Sequence, residues 1–262
     1  MTRARWLVAV LIALVGTGCP PRQDAARAKA GAVFLILIDR SESVNKPEMR
    51  KLYVQSLTTI LHSLGHGDVL LVGWITDQSA TELQLPMNVT FPRFCPQNDN
   101  PLVLGPERAK SDSVLDSLRT RISDSLEHLL LSQHRTITHT AILQSMELAQ
   151  RVFASYEGNP NVLIIMSDMV EDSEKRNFLN EHLTAARTDA IVNGLRSEGR
   201  LPDLRGVRVQ VLGAATGNGL RDRQVRDFWF SLFKATGAAL RPADYGAALI
   251  KFDLPHAPPT CS

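Results

Sequence analysis

Five residues in three separated stretches carry the oxygen chemistry of this sequence. Asp39, Ser41 and Ser43 stand in Asp-x-Ser-x-Ser spacing, Thr136 opens a later helix, and Asp168 follows Ser167 further along the chain. In extended chain alternate side chains share a face, so Asp39, Ser41 and Ser43 converge while Arg40 and Glu42 point away. One carboxylate, three hydroxyls and a second carboxylate form an all-oxygen donor set. Hard divalent cations take such donors, and Mg²⁺ in particular is held by one or two carboxylates while retaining several waters. Two carboxylates balance the charge of such an ion and leave it able to accept an oxygen from outside.

The elements that must position these residues follow from hydrophobic patterning. Residues 33–38 (VFLILI) are a continuous apolar run, as in a strand buried on both faces of a parallel sheet; 69–75 and 162–166 are further apolar strands, and 207–212 is a strand as well. A helix begins at Pro47 and keeps its apolar stripe through Met49, Leu52, Tyr53, Leu57, Ile60, Leu61 and Leu64. Residues 81–105 read as an edge strand followed by a long excursion. Val114, Leu115, Leu118, Ile122, Leu126, Leu129 and Leu130 mark another helix, with further helices over 141–153, over 178–195 and around Val225, Phe228, Trp229, Leu232 and Phe233. A last short strand is expected over 238–241, with a helix start over 245–250. Strands alternating with helices give a doubly wound, mostly parallel sheet in a three-layer α/β/α arrangement. Ligands of such sheets gather at the carboxyl ends of the strands, near the point where the strand order reverses. Asp39 and Asp168 leave two apolar strands there, and Thr136 stands just before the helix over 141–153.

These residues resemble the metal-ion-dependent adhesion site of von Willebrand factor type A domains, whose pattern is Asp-x-Ser-x-Ser, then a threonine before a helix, then an aspartate after the next core strand. Thr136-x-Thr138-x-x-Ala141-Ile142 matches the family's Thr-x-Thr-x-x-Ala-Leu register, with Thr138 as the rival ligand. The resemblance runs over nearly all of residues 32–250. It implies cation-dependent protein recognition. Ser41, Ser43 and Thr136 would hold the ion directly, Asp39 and Asp168 would do so partly through water, and a partner's Glu or Asp would complete the shell. Mg²⁺ is the expected ion, with Mn²⁺ and Ca²⁺ as alternatives. The sequence departs from the family at His134-Arg135, Thr140 and Met169, where glycines are usual. Glu171 and Asp172 read as a solvated helix start or as acids behind the site, and Asp77 as a turn residue or a further acid facing it. His62, His66, His134 and His139 have no transition-metal spacing.

Residues 1–18 have the form of a signal peptide: Arg3 and Arg5, an apolar run over 6–15, then Gly16-Thr17-Gly18 before Cys19. The run is too short to cross a hydrocarbon core of about 20 residues. Small residues leading into Cys19 resemble a lipobox, with Gly16 where leucine is usual, so Cys19 is the expected lipid anchor. A plain cleaved signal or an uncleaved anchor is the alternative. On this reading residues 19–31 are a lipidated linker, 32–254 the domain and 255–262 a tail, on a lipoprotein of the cell envelope facing the periplasm or cell surface. Cys95 and Cys261 are then left to form a disulfide or to stay free. A formal net charge of +2, without a basic stripe, argues against a nucleic-acid partner. A metal-dependent phosphoesterase is the competing class, but there is no second His/Asp cluster, phosphate-cradling glycine loop or nucleophile elbow. No catalytic residue and no small-molecule substrate are therefore assigned. A third reading keeps the ion for stability alone.

Overall fold

The computed structural model describes residues 31–77, 85–96, 100–132, 137 and 139–248. Six strands form one sheet in the order β3-β2-β1-β4-β7-β8. They are β1 (Val33–Asp39), β2 (Val69–Ile75), β3 (Met87–Thr90), β4 (Asn161–Met166), β7 (Val207–Leu212) and β8 (Ala239–Gly246). All neighbours run parallel except β3, which pairs antiparallel with β2 at one edge. A two-residue-stranded hairpin, β5 (Asp172–Ser173) with β6 (Arg176–Asn177), stands apart from the sheet. The helices are α1 (Pro47–Ser63), α2 (Pro101–Leu131), α3 (Ile142–Ala154), α4 (Ala185–Ser197) and α5 (Gly219–Thr236).

Strand pleating divides the core into two. Phe34, Ile36 and Ile38 of β1 pack with Tyr53, Leu57 and Ile60 of α1 and with Ile122 and Leu126 of α2. Val33, Leu35 and Leu37 face the opposite side, against Ile142 and Met146 of α3, Ile191 of α4 and Phe228 and Trp229 of α5. Because successive residues of β1 point to opposite faces, a wholly apolar strand must be covered on both. That requirement produces the three layers, and the expected doubly wound α/β fold is the one observed. Trp74 and Trp229 are both core residues.

Several boundaries differ from those the sequence suggests. Helix α2 begins at Pro101, inside the segment read as an excursion, because the Asn100 side chain accepts from the Leu102 amide and caps it. Residues 178–184 are not helical. Asn177 caps a turn there through the Leu179 and Asn180 amides, and α4 starts only after the Thr184 side chain takes the Arg187 amide. The last strand extends to Gly246, past a register shift between Val209 and Val211 of its neighbour. Tyr245 therefore lies in a strand, where a helix start was expected. The irregularity of β8 and its Pro242 hid its period of two.

Candidate metal centre

The chain leaves β1 in one direction to form β2 and β3 and returns on the other side as β4, so the order reverses between β1 and β4. The carboxyl ends of these two strands carry Asp39 and Ser167-Asp168. Asp39 is buried and fully engaged by local donors: its Oδ1 accepts from the Ser41 amide at 2.8 Å and its Oδ2 from the Ser167 hydroxyl at 2.7 Å. The Ser41 and Ser43 hydroxyls lie 3.0 Å apart. Convergence of these three residues thus arises differently from the extended-chain expectation. The chain turns at Ser41, whose carbonyl accepts from the amides of Val44 and Asn45, and Asp39 organises the turn through its carboxylate.

Asp168 is also buried, and its Oδ1 accepts from the Val170 amide at 2.9 Å. The next residue, Met169, occupies the left-handed region at φ 66°, a conformation that glycine adopts most readily. Here a side chain is tolerated because Met169 is wholly buried, its amide donates to the Ser167 hydroxyl at 2.9 Å, and its carbonyl accepts from Trp229 Nε1 at 2.8 Å. The core holds the strained residue in place.

Thr136 and its rival Thr138 lie outside the described residues, as do His134, Arg135, Cys19 and Cys261. Ile137 makes a parallel bridge with Ser41. Cys95 is disulfide-bonded. Arg40 stacks over Trp74 at 4.9 Å, and Asp77 is an exposed turn residue. His139 is exposed beside Asp172 at 3.4 Å, while His66 bridges Asp112 and the Pro92 carbonyl.

The electrostatics test whether these residues fit a cation. Burial, and then the charge of Asp168, push the Asp39 carboxyl up to about 6, and burial also raises that of Asp168. Neither carboxylate forms an ion pair among the described residues, although Lys46 exerts a weak pull on Asp168. Two buried carboxylates so placed repel each other and want a positive charge between them. No three His, Cys, Asp or Glu side chains come together among the described residues, and the further oxygens beside the pair include the Ser41 and Ser43 hydroxyls. The donor set fits a hard divalent cation and does not suit a soft one.

A cavity of about 180 Å³ is lined by Asp168 together with Thr216, Asp222, Arg223, Arg226 and Tyr245 among others. Sequence reasoning did not single out its α5 and β8 residues. The rule that pointed to Asp39 and Asp168 also covers the exit of β7, where Thr216 is held by Asp222 at 2.6 Å.

Glu171 corrects the expectation of a solvated helix start. It is buried, and its Oε2 accepts from the Leu143 amide at 3.0 Å in the first turn of α3. Beside it Thr140 and Asp172 exchange backbone hydrogen bonds at 2.7 and 3.0 Å. Together these contacts pin the segment that follows Thr136. Burial raises the Glu171 carboxyl from 4.5 to about 7 against the opposing pull of the Leu143 amide. The folded protein therefore keeps a proton there that the unfolded chain has released, and stability falls as pH rises through this window. Glu171→Gln is expected to flatten the fall, by roughly 3 kcal/mol between pH 4.5 and 8 in urea unfolding. Equal pH slopes for the two proteins would refute the assignment.

No protein-family model matches the sequence, and neither does any curated protein. Solved structures similar to it include the ArnB paralogue VWA2 of Sulfolobus acidocaldarius, at 12% identity over 71% of this chain and 36% of that one, with a TM-score of 0.39. An aerotolerance-related membrane protein of Bacteroides fragilis, carrying multiple mutations to serine, is 14% identical over 80% of this chain and 90% of that one, with a TM-score of 0.39. Proximal thread matrix protein 1 of the mussel byssus, with a zinc-occupied metal-ion-dependent adhesion motif, is 14% identical over 76% of this chain and 39% of that one, with a TM-score of 0.38. This chain spans about a third of the length of the Sulfolobus chain.

Proposed function

We propose that this protein is an exported lipoprotein whose von Willebrand factor type A–like domain binds a divalent cation and grips a partner protein through a partner carboxylate. The observation that carries this reading is the pairing of Asp39 with Asp168. They are two buried carboxylates without an ion-paired cation among the described residues, set beside the Ser41 and Ser43 hydroxyls where the strand order reverses. Ser41, Ser43 and Thr136 hold the ion, with Asp39 and Asp168 balancing its charge, and Mg²⁺ is the preferred occupant. The bound ion supplies an electrophilic coordination position for an acidic side chain. Asp39 aligns the turn that carries the two serines, and Ser167 fixes the orientation of Asp39. Cys19 carries the lipid and residues 19–31 lift the domain from the membrane. His66 and His139 pair with Asp112 and Asp172 and not with the two carboxylates.

The test is capture from an envelope extract by the full chain in Mg²⁺ and in EDTA, with folding followed by circular dichroism. Loss of the captured protein in EDTA while the domain stays folded is the expected result. Equal capture in both would sink the recognition reading, and unfolding in EDTA would make the ion structural.

A further inference from the structure

Tyr53 sits on α1 with its side chain buried in the core, and its phenol oxygen is buried without a hydrogen-bond partner among the described residues. Phenylalanine would fill the same space, and a buried hydroxyl left unpaired is a net cost. The hydroxyl is not lost among apolar side chains. It lies under the carboxyl ends of the central strands, close to Gly213 just beyond β7. A Cβ built on Gly213 would come within 2.7 Å of the phenol oxygen and 3.1 Å of the Ser167 carbonyl. Gly213 also adopts φ 91°, so the backbone turns there and leaves the room the hydroxyl occupies. Ser167 in turn donates to Asp39. The carboxylates of Asp39 and Asp168 both act electrostatically on the phenol. A phenol donor with no acceptor among the described residues is therefore held beside Gly213 and near the Ser167 carbonyl, at the strand exits that carry the two carboxylates.

We infer that Tyr53 is a positioning residue of the cation site, its phenol donating a hydrogen bond to the oxygen shell between Asp39 and Asp168 from the core side. This rests on the reading of that centre as a cation site. Ser167 orders Asp39 through its hydroxyl and Ser41 does so through its amide, both from the strand exits. Tyr53 stands on α1, so this bond ties that helix to the state of the site.

The experiment is calorimetric titration of Mn²⁺ into the full chain and into Tyr53→Phe, with thermal melts in EDTA and the tyrosine absorbance difference on Mn²⁺ addition. Tyr53→Phe is expected to melt no lower than the parent in EDTA, since it loses only an unpaired hydroxyl, yet to bind Mn²⁺ about five- to tenfold more weakly. The parent is expected to show a larger tyrosine difference signal on Mn²⁺ addition than the variant, which retains Tyr156 and the Tyr245 that lines the cavity at Asp168. Unchanged Mn²⁺ affinity in Tyr53→Phe, with binding by the parent intact, overturns the inference and leaves the cation site standing. Weaker binding accompanied by a lower melting temperature in EDTA would make the role one of packing and also overturn it. Failure of the parent to bind Mn²⁺ removes the cation site itself.

Discussion

Asp39→Asn is expected to make the metal-free protein more stable at neutral pH while abolishing its stabilisation by Mg²⁺. The first effect follows from burial. The Asp39 carboxyl is raised from 3.8 to about 6, so ionising it in the fold is unfavourable. Below the ordinary carboxylate range both folded and unfolded chains are protonated and there is no penalty. As pH rises through the interval up to about 6 the unfolded chain gives up its proton first, and metal-free stability declines. Above that interval the penalty is roughly 3 kcal/mol. Asparagine removes it, keeps an acceptor for the Ser41 amide and leaves the Ser167 hydroxyl a donor to satisfy. The second effect is linkage: an ion at a hundred times its Kd adds about 2.7 kcal/mol to the folded state, and only the carboxylate pair can earn that stabilisation. Melts in EDTA and in Mg²⁺, at pH 5 and pH 7.5, separate the two. A variant that melts lower than the parent in EDTA at pH 7.5, or that keeps the Mg²⁺ shift, contradicts the account.

The same residues show how far sequence alone reaches. Runs such as residues 33–38 fix a double-sided strand, because nothing but two covering layers can bury every side chain of VFLILI, and the sheet follows. Asp39, Ser41, Ser43 and Asp168 are legible because each stands at the end of such a run. The turn that joins them is not, since a carboxylate accepting its neighbour's amide leaves no periodic trace. Glu171 was misread for a related reason. A glutamate beside Asp172 has the composition of a solvated loop, and only the fold brings the first turn of α3 over it as a burial partner. Tyr53 reads as one more apolar position on the stripe of α1, because its hydroxyl acquires meaning only when Gly213 is folded against it. Residues 178–184 carry apolar side chains at helical spacing, but Asn177 diverts the chain into a turn that strong local capping maintains.

Trp229 links the core to the site, and its removal is expected to be the costlier test of the fold. The indole is fully buried, meets Phe228 edge-on at 5.2 Å between centroids and 84° between planes, and also contacts Phe178 and Phe233. Trp229→Ala should cost about 3–5 kcal/mol, the range for deleting a large buried aromatic whose cavity cannot collapse. Trp229→Phe separates packing from hydrogen bonding. It keeps most of the apolar contact but withdraws the Nε1–H donor from the Met169 carbonyl, and should cost about 1–2 kcal/mol for that bond together with the smaller ring. Met169 is the residue held at positive φ immediately after Asp168, so losing that donor relaxes the turn that presents the carboxylate. The Phe variant should therefore show a smaller Mg²⁺-induced rise in melting temperature than the parent, beyond its lower starting stability. Denaturant unfolding in EDTA measures the first quantity and melts across a Mg²⁺ series the second. A Phe variant with reduced stability but an undiminished Mg²⁺ response would show that the core supports Met169 without tuning the carboxylate beside it.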